Sequence, residues 1–334
     1  MRWWFKEYSS EQHLLLALPY LSDVWRASGE PAQKAIKQLQ QQLSSSVNVH
    51  CLDYHNIAYN DIWLRDTLPL WFKQAVSSGW QGILPVFDGW GGIQHQINAD
   101  QTLAQRLFDY PITAACWCGE GGMFSHNGEW LLVGMACLKQ RNPGMTEASL
   151  KNLISNNFSP LKPIFVDTRL SADETGGHID NMALFVDDDT LLFCTTDDPN
   201  HPDYQACRIV EKALDQLPDS INKVALPLPY PQSATVAERC GLARITGALQ
   251  RTTGVKLLCS YVNVVAIGNI IVLPHYQIDY DAVALHCLQQ ALPGKTIVSA
   301  AAREFVLGGG GLHCISHSVP AAVAQSLIAD GHVL

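Results

Sequence analysis

The 334-residue chain is 47% apolar, enough to bury the core of one large domain or two small ones. Its 22 basic and 31 acidic side chains leave a formal charge of -9, which argues against a nucleic-acid partner held through its phosphates and suits a small cationic ligand. The ten cysteines lie scattered, mostly in apolar runs, rather than at framework spacings, the pattern of reduced thiols in a cytoplasmic protein.

In chain order, the apolar stretch from Leu14 to Leu18 follows Arg2 and Lys6. Glu7 and Glu11 intervene and no small-residue cleavage site comes after it, so no secretory leader is expected. The stretch reads as a strand. Pro31 to Leu43, with a proline at its start and apolar residues at helical spacing, reads as a helix, and Val47 to Leu52 returns as a strand. Asn60 to Thr67 then sets Asp61, Arg65 and Asp66 among large apolar residues, which is costly unless Arg65 pairs with its acidic neighbours or the charges are functional. Cys116-Trp117-Cys118 lacks the second pair that a zinc site needs and reads as strand, both cysteines on one face. Glu120-Gly121-Gly122 taken alone has the composition of an ordinary turn.

From Gly122 onward the chain repeats itself. Gly122 to His126 and Trp130 to Val133 flank Asn127-Gly128, a strong hairpin signal; a helix over Thr146 to Asn156 and a strand over Pro163 to Asp167 are expected next. The order returns with Ala183 to Val186, Leu191 to Cys194, a helix over Tyr204 to Leu217 and a strand over Val224 to Leu228. It returns again with Tyr261 to Ala266, Ile270 to Leu273, a helix over Asp281 to Leu292 and a strand over Thr296 to Ser299. Three copies of hairpin, helix and strand, with weaker copies at the two ends and no linker between them, predict one α/β domain over residues 1–334 built as a radial or stacked repeat. Asn263, Gly268 and Asn269 break the longest apolar stretch, so no run reaches the roughly 18 residues of a membrane span.

Two polar stretches point to chemistry. In Glu174 to Asn181, two glycines lead into His178; if Ile179 to Val186 is a strand, His178 and Asp180 project from one face as a general acid/base beside a charge partner. Near the C-terminus, Glu304 to Leu307 reads as a strand that enters Gly308 to Gly311 and leaves through Leu312 to Ile315. Four consecutive glycines waste backbone entropy unless the main chain needs a left-handed φ or another group must approach it closely. Cys314, delivered from such a loop, is a candidate nucleophile, although a single cysteine out of ten is more often a small buried hydrophobe.

Seven segments together carry a family resemblance: D-I-W-L-R-D (Asp61 to Asp66), Trp90-Gly91-Gly92, Glu120-Gly121-Gly122, Arg141-Asn142-Pro143, G-H-I-D-N (Gly177 to Asn181), Ser260-Tyr261-Val262-Asn263 and Gly308 to Cys314. In their order and across nearly the whole chain they resemble the agmatine deiminase family, grouped with the Porphyromonas-type peptidyl-arginine deiminases. The resemblance implies the pentein fold, an α/β propeller of five units about a pseudo-fivefold axis with the active site at its centre. It implies Cys314 as nucleophile, His178 as general acid/base, Glu120 orienting His178, and Asp66 and Asp180 gripping a guanidinium. Glu174 at the distal amine and Trp90 along the methylene chain complete the expected substrate contacts.

Those residue types suit the reaction. Two carboxylates hold a planar guanidinium by charge-assisted forks, and a thiolate is nucleophilic enough to attack its carbon. The implied activity is hydrolysis of agmatine to N-carbamoylputrescine through a covalent thiouronium, without metal, organic cofactor, nucleic acid or membrane; homo-oligomerisation is left open. Two departures from the family pattern leave the guanidino substrate open: Leu68 stands where a glycine is usual, and Gly311-Leu312 replaces Asn-Ile. Alternatives are a peptidyl-arginine deiminase, an amidinotransferase in which an amine resolves the intermediate, and a non-catalytic pentein that binds a ligand or macromolecule. Arg65 is the one cation expected near the site.

Overall fold

The structure, a computed structural model, describes residues 2–74, 79–94, 96–246 and 248–329. Among them five small sheets share one plan: two antiparallel strands pair, in four of the sheets as consecutive strands, the chain leaves the second through helix, and it returns as a third strand parallel to the second. Phe124–His126, Trp130–Gly134 and Lys162–Val166 show the plan, with Phe124 opposite Val133 and Trp130 opposite Lys162. The crossover there contains the helix Glu147–Asn157, whose first turn is capped by Thr146 accepting from the Ser149 amide at 3.2 Å. The other two expected copies are Ala183–Phe185, Thr190–Thr195 and Asn222–Pro227 around the helix Tyr204–Leu214, and Val265–Ile267, Ile270–His275 and Thr296–Ala301 around the helix Tyr280–Ala291.

The two end copies explain their weak sequence signal. Leu70–Gln74, Trp80–Val86 and Ile112–Cys118 form one sheet, with Arg2–Trp4 added at its edge and several short helices in the crossover. The fifth sheet joins the two ends of the chain: His317–Pro320 lies antiparallel to Gln12–Ala17, which runs parallel to Val49–Leu52 through the helix Glu30–Leu43. Leu14, Leu15 and Leu16 are all fully buried, as a middle strand covered on both faces requires. The helix buries Ala32, Ala35, Ile36, Leu39 and Leu43, one stripe at 3.6-residue spacing. A two-stranded ribbon, Gln232–Ser233 with Lys256–Leu257, stands outside the plan.

Four expected strands are wholly or partly something else. Glu304 to Leu307 belongs to the helical turn Arg303–Gly308, stopped by Gly309 at φ 113, whose amide reaches the carbonyls of Phe305 and Val306. Leu312 to Ile315 is a turn, with the Ile315 amide donating to the Gly311 carbonyl at 3.3 Å. Phe305, Val306, Leu307, Leu312 and Ile315 are buried, so an apolar run this short carries no period that separates strand from helix. Ile179–Asn181 is likewise a tight helical turn, and the strand begins only at Ala183; His178 and Asp180 therefore do not share a strand face. Tyr261 to Val264 also precedes its strand, folded back by the Ser260 hydroxyl, which donates to the Asn181 carbonyl at 2.7 Å. No helix among the described residues is long and apolar enough to cross a membrane.

Candidate active site

The corrected turns have a common position. Each antiparallel pair is preceded by an irregular segment that carries a polar side chain two to four residues before the first strand: Asp66 before Leu70, Glu120 before Phe124, Asp180 before Ala183, Asn263 before Val265 and Cys314 before His317. All five are buried; Asp66 and Glu120 flank His178, Asp180 and Asn263 flank Cys314, and Asp66 and Cys314 line one pocket. The expected catalytic residues are thus brought together, although from turns rather than strands.

Cys314 is held by Asn263 and Asp180. Asn263 Nδ2 donates to its Sγ at 3.4 Å, and Sγ lies 3.8 Å from Asp180 Oδ2. The other end of the Asn263 amide accepts from the His313 N–H at 2.9 Å, so one carboxamide fixes both Cys314 and the residue before it. The glycine loop provides the room. A Cβ at Gly308, Gly309, Gly310 or Gly311 would stand 2.3, 2.6, 2.5 or 2.2 Å from Trp25, Arg251, Trp63 or Asn263. Of the four only Gly309 has a left-handed φ; close approach accounts for all of them. Gly311, where the family pattern has asparagine, gives its space to the Asn263 side chain.

His178 lies between Asp66 and Glu120. Its Nε2 is 3.3 Å from Glu120 Oε2 and its Nδ1 is 3.9 Å from Asp66 Oδ2. Asp173 builds the loop that delivers it, its carboxylate accepting from the amides of Thr175, Gly177 and His178. Gly122 packs against the ring so closely that a Cβ there would be 2.4 Å from Nδ1. Burial alone would lower the imidazole pKa, but Asp66, the Glu120 hydrogen bond and Asp180 lift it to about 10. Glu120 in turn accepts from Arg141 Nε at 2.7 Å, both side chains fully buried. Asp66 is satisfied on both oxygens, by the Gly122 amide and by Trp90 Nε1, each at 2.9 Å. Trp90 reaches it from a left-handed backbone at φ 57, a strained conformation for a bulky residue. Asp180 differs: its Oδ2 is 2.9 Å from His313 Nδ1, while Oδ1 is buried without a hydrogen-bond partner.

Cys314, Asp66, Trp90 and Glu174 line one pocket together with Leu258 and Arg251; His178, Asp180 and Glu120 are buried behind it. Two expectations about charge fail here. Arg65 does not pair with its acidic neighbours but with Glu7, far away in sequence. Nor is it the cation nearest the substrate space: Arg251 lies in the pocket and grips Glu174 with both terminal nitrogens, at 2.9 and 3.0 Å. Asp61, also at the pocket, is taken up by the indoles of Trp25 and Trp63 and by the Ile62 amide; burial still pushes its carboxyl up to about 6. Glu7 and Arg251 had no sequence signal as site residues. Asn263 and His313 lie inside quoted motifs, but only the fold shows what they touch.

The arrangement, a thiol between a carboxylate and a carboxamide with an imidazolium nearby, can hold a planar cation and attack its central carbon. Among the described residues no group of three His, Cys, Asp or Glu side chains is placed to bind a metal. The sequence profile of the Porphyromonas-type peptidyl-arginine deiminase family matches residues 3–320. The agmatine deiminase of Pseudomonas fluorescens strain Pf-5 is 27% identical over 348 residues, covering 94% of each chain, and that of strain SBW25 is 29% identical with the same coverage. Among solved structures, agmatine deiminase of Enterococcus faecalis superposes with a TM-score of 0.86 at 22% identity, covering 94% of both chains, which establishes a shared mixed α/β fold. With the profile spanning all five sheets and every quoted motif, the chain belongs to the Porphyromonas-type peptidyl-arginine deiminase family.

Proposed function

We propose that the chain is a hydrolase that converts agmatine and water to N-carbamoylputrescine and ammonia, with Cys314 as nucleophile. The reading extends to the architecture: one catalytic domain over residues 1–334, its five units closed into a pentein α/β propeller around the site. Support for the ring is the equivalent placement of Asp66, Glu120, Asp180, Asn263 and Cys314 before their antiparallel pairs, and a fifth sheet made from both chain ends. The ten unpaired cysteines suit the reducing cytoplasm.

The observation that carries the reading is a buried carboxylate with one oxygen unpartnered: Asp180 Oδ1 has no hydrogen-bond partner, while Oδ2 of the same group lies 3.8 Å from the Cys314 thiol, in the site that Cys314 and Asp66 line. Leaving such an atom unpaired costs about 1–3 kcal/mol or more, which a guanidinium N–H would recover. With the cation between Asp66 and Asp180, the charges that oppose ionisation of Cys314 are neutralised and its proton passes to solvent water, since His178 already carries its own. The thiolate attacks the guanidinium carbon, and the His178 imidazolium protonates the departing nitrogen, which leaves as ammonia. The C–S bond that remains is a thiouronium. His178, now neutral, takes a proton from water; the hydroxide adds to the same carbon, the C–S bond breaks, and the ureido product leaves with Cys314 restored. Glu120 orients His178. Trp90 walls the methylene chain, and the distal ammonium reaches Glu174 in competition with Arg251.

Incubating the protein with a panel of guanidino compounds and assaying ureido product and ammonia tests the proposal. Agmatine should give both in equal amounts; amidino transfer to an added amine without ammonia would replace hydrolysis by transfer.

A further inference from the structure

The chemistry above assigns no work to His313, yet the structure buries it between two carboxylates. Its Nδ1 is 2.9 Å from Asp180 Oδ2 and its Nε2 is 3.0 Å from Glu7 Oε2. An ionised carboxylate only accepts hydrogen bonds, so contacts of this kind on both nitrogens require an N–H on each, the imidazolium form. Glu7 is ionised as well. Burial would raise its carboxyl, but the Arg65 guanidinium and His313 hold it far below the usual range. The Arg65 side chain is itself almost fully buried and bonds the second Glu7 oxygen. Burial and Arg65 also work against the His313 charge, and its hydrogen bonds to Asp180 and Glu7 overcome them. Four alternating charges, Arg65, Glu7, His313 and Asp180, therefore run through the interior and end beside Cys314.

The main chain of His313 is held separately. Its N–H donates to Asn263 Oδ1 at 2.9 Å, and its carbonyl accepts from Arg65 Nε at 3.4 Å. The ring is thus a fixed support rather than a mobile side chain.

Building on the guanidine-hydrolysis reading, we propose that His313 is a positioning residue: its imidazolium pins Asp180 Oδ2 and so presents Oδ1, which has no other partner, to the substrate guanidinium. Glu7, braced by Arg65, keeps His313 charged for that task. Without the imidazolium the Asp180 carboxylate is free to rotate, and the fork that aligns the guanidinium carbon with Cys314 is lost. The charged and titratable groups around the ring are Asp180, Glu7, Arg65 and Cys314. His126 and His317 stand on neighbouring strands, and burial lowers them to about 4 and about 3, so neither competes for the charge at neutral pH.

The test compares alkylation of Cys314 by 2-chloroacetamidine, a cationic mimic of the guanidinium, with alkylation by neutral 2-chloroacetamide, each rate divided by that of a free thiol. Wild type should favour the amidine. His313→Ala should reduce this preference about tenfold or more, the worth of one charge-assisted hydrogen bond. His313→Asn, whose amide nitrogen can stand in for Nδ1, should recover most of it. Glu7→Gln, at the partly exposed end of the line, keeps the shape but removes an anion that favours the imidazolium. Its preference for the amidine should therefore fade at lower pH than in wild type, and this variant carries the test if His313→Ala does not fold. A purely structural role would slow both reagents equally and leave the ratio unchanged; that result in His313→Ala or Glu7→Gln overturns the proposal. A wild type without any amidinium preference removes the guanidine site itself, a distinct outcome from a preference that survives the loss of His313.

Discussion

Cys314 Sγ lies 3.8 Å from Asp180 Oδ2, close enough for the thiol to donate to the carboxylate and for the carboxylate to oppose its ionisation. Burial, then Asp180 and Asp66, push the thiol well above its usual pKa, against the pull of the Gly311 amide and Asn263. The two acids proposed to bind the substrate therefore favour the protonated thiol of Cys314 until a cation arrives between them.

This makes labelling depend on reagent charge. At neutral pH, iodoacetamide should label Cys314 more slowly than the exposed Cys116 and Cys240, and a haloacetamidine should reverse the order. Peptide mapping by mass spectrometry after short exposures reads both orders. Fast labelling of Cys314 by the neutral reagent would show that its thiol is ionised without a cation.

If His178 is the general acid, as proposed, it should set the alkaline side of the pH profile. Its pKa of about 10 means that the imidazolium needed to protonate leaving ammonia is present below that pH and lost as pH rises through it. Glu120→Gln removes the negative charge that raises this pKa and leaves at most a neutral acceptor, so the alkaline limb of kcat/KM should move to lower pH. The substrate amine titrates identically in both enzymes, so the difference belongs to the protein. An unmoved limb would take Glu120 out of contact with the acid.

Substrate choice turns on Arg251. The carboxylate of free arginine finds this guanidinium already held by Glu174 at 2.9 and 3.0 Å. Each charge-assisted bond it would have to replace is worth about 1.5–3 kcal/mol. Agmatine should therefore exceed arginine in kcat/KM by about a hundredfold or more. Arg251→Ala frees Glu174 for the distal ammonium, lowering KM for agmatine and widening that gap. Side-by-side kinetics on both substrates decide it; equal rates, or a gap that narrows in the variant, contradict the assignment.

Much of this was legible in the sequence, and the failures share a cause. Hairpins and crossover helices were readable because Asn127-Gly128, Thr146 and the stripes of Tyr204–Leu214 and Glu30–Leu43 are local signals. The fifth sheet was not, since His317–Pro320 and Gln12–Ala17 meet only in space. The candidate site was visible as motifs, but Ile179–Asn181 and Leu312 to Ile315 read as strands because they are apolar, buried and too short to show a period. The partners that tune the site, Glu7 for Arg65 and His313, and Arg251 for Glu174, are long-range ion pairs. No spacing rule finds them.

The glycine loop gives a structural test. A Cβ at Gly311 would stand 2.2 Å from Asn263 Oδ1, the atom that fixes the His313 amide. Gly311→Ala should displace Asn263 and cost about 1–3 kcal/mol of stability as overpacking, with a lower Tm and a large drop in kcat. Calorimetry with kinetics checks both; unchanged Tm and activity would mean that the Asn263 side chain does not fill this space.

The most direct test is to supply agmatine to wild type and to Cys314→Ser, and to quantify N-carbamoylputrescine and ammonia by mass spectrometry and coupled assay. Wild type should form both in a one-to-one ratio, and Cys314→Ser, folded by circular dichroism, should form neither. No product from wild type, or product from Cys314→Ser at a comparable rate, contradicts thiol-based hydrolysis of agmatine.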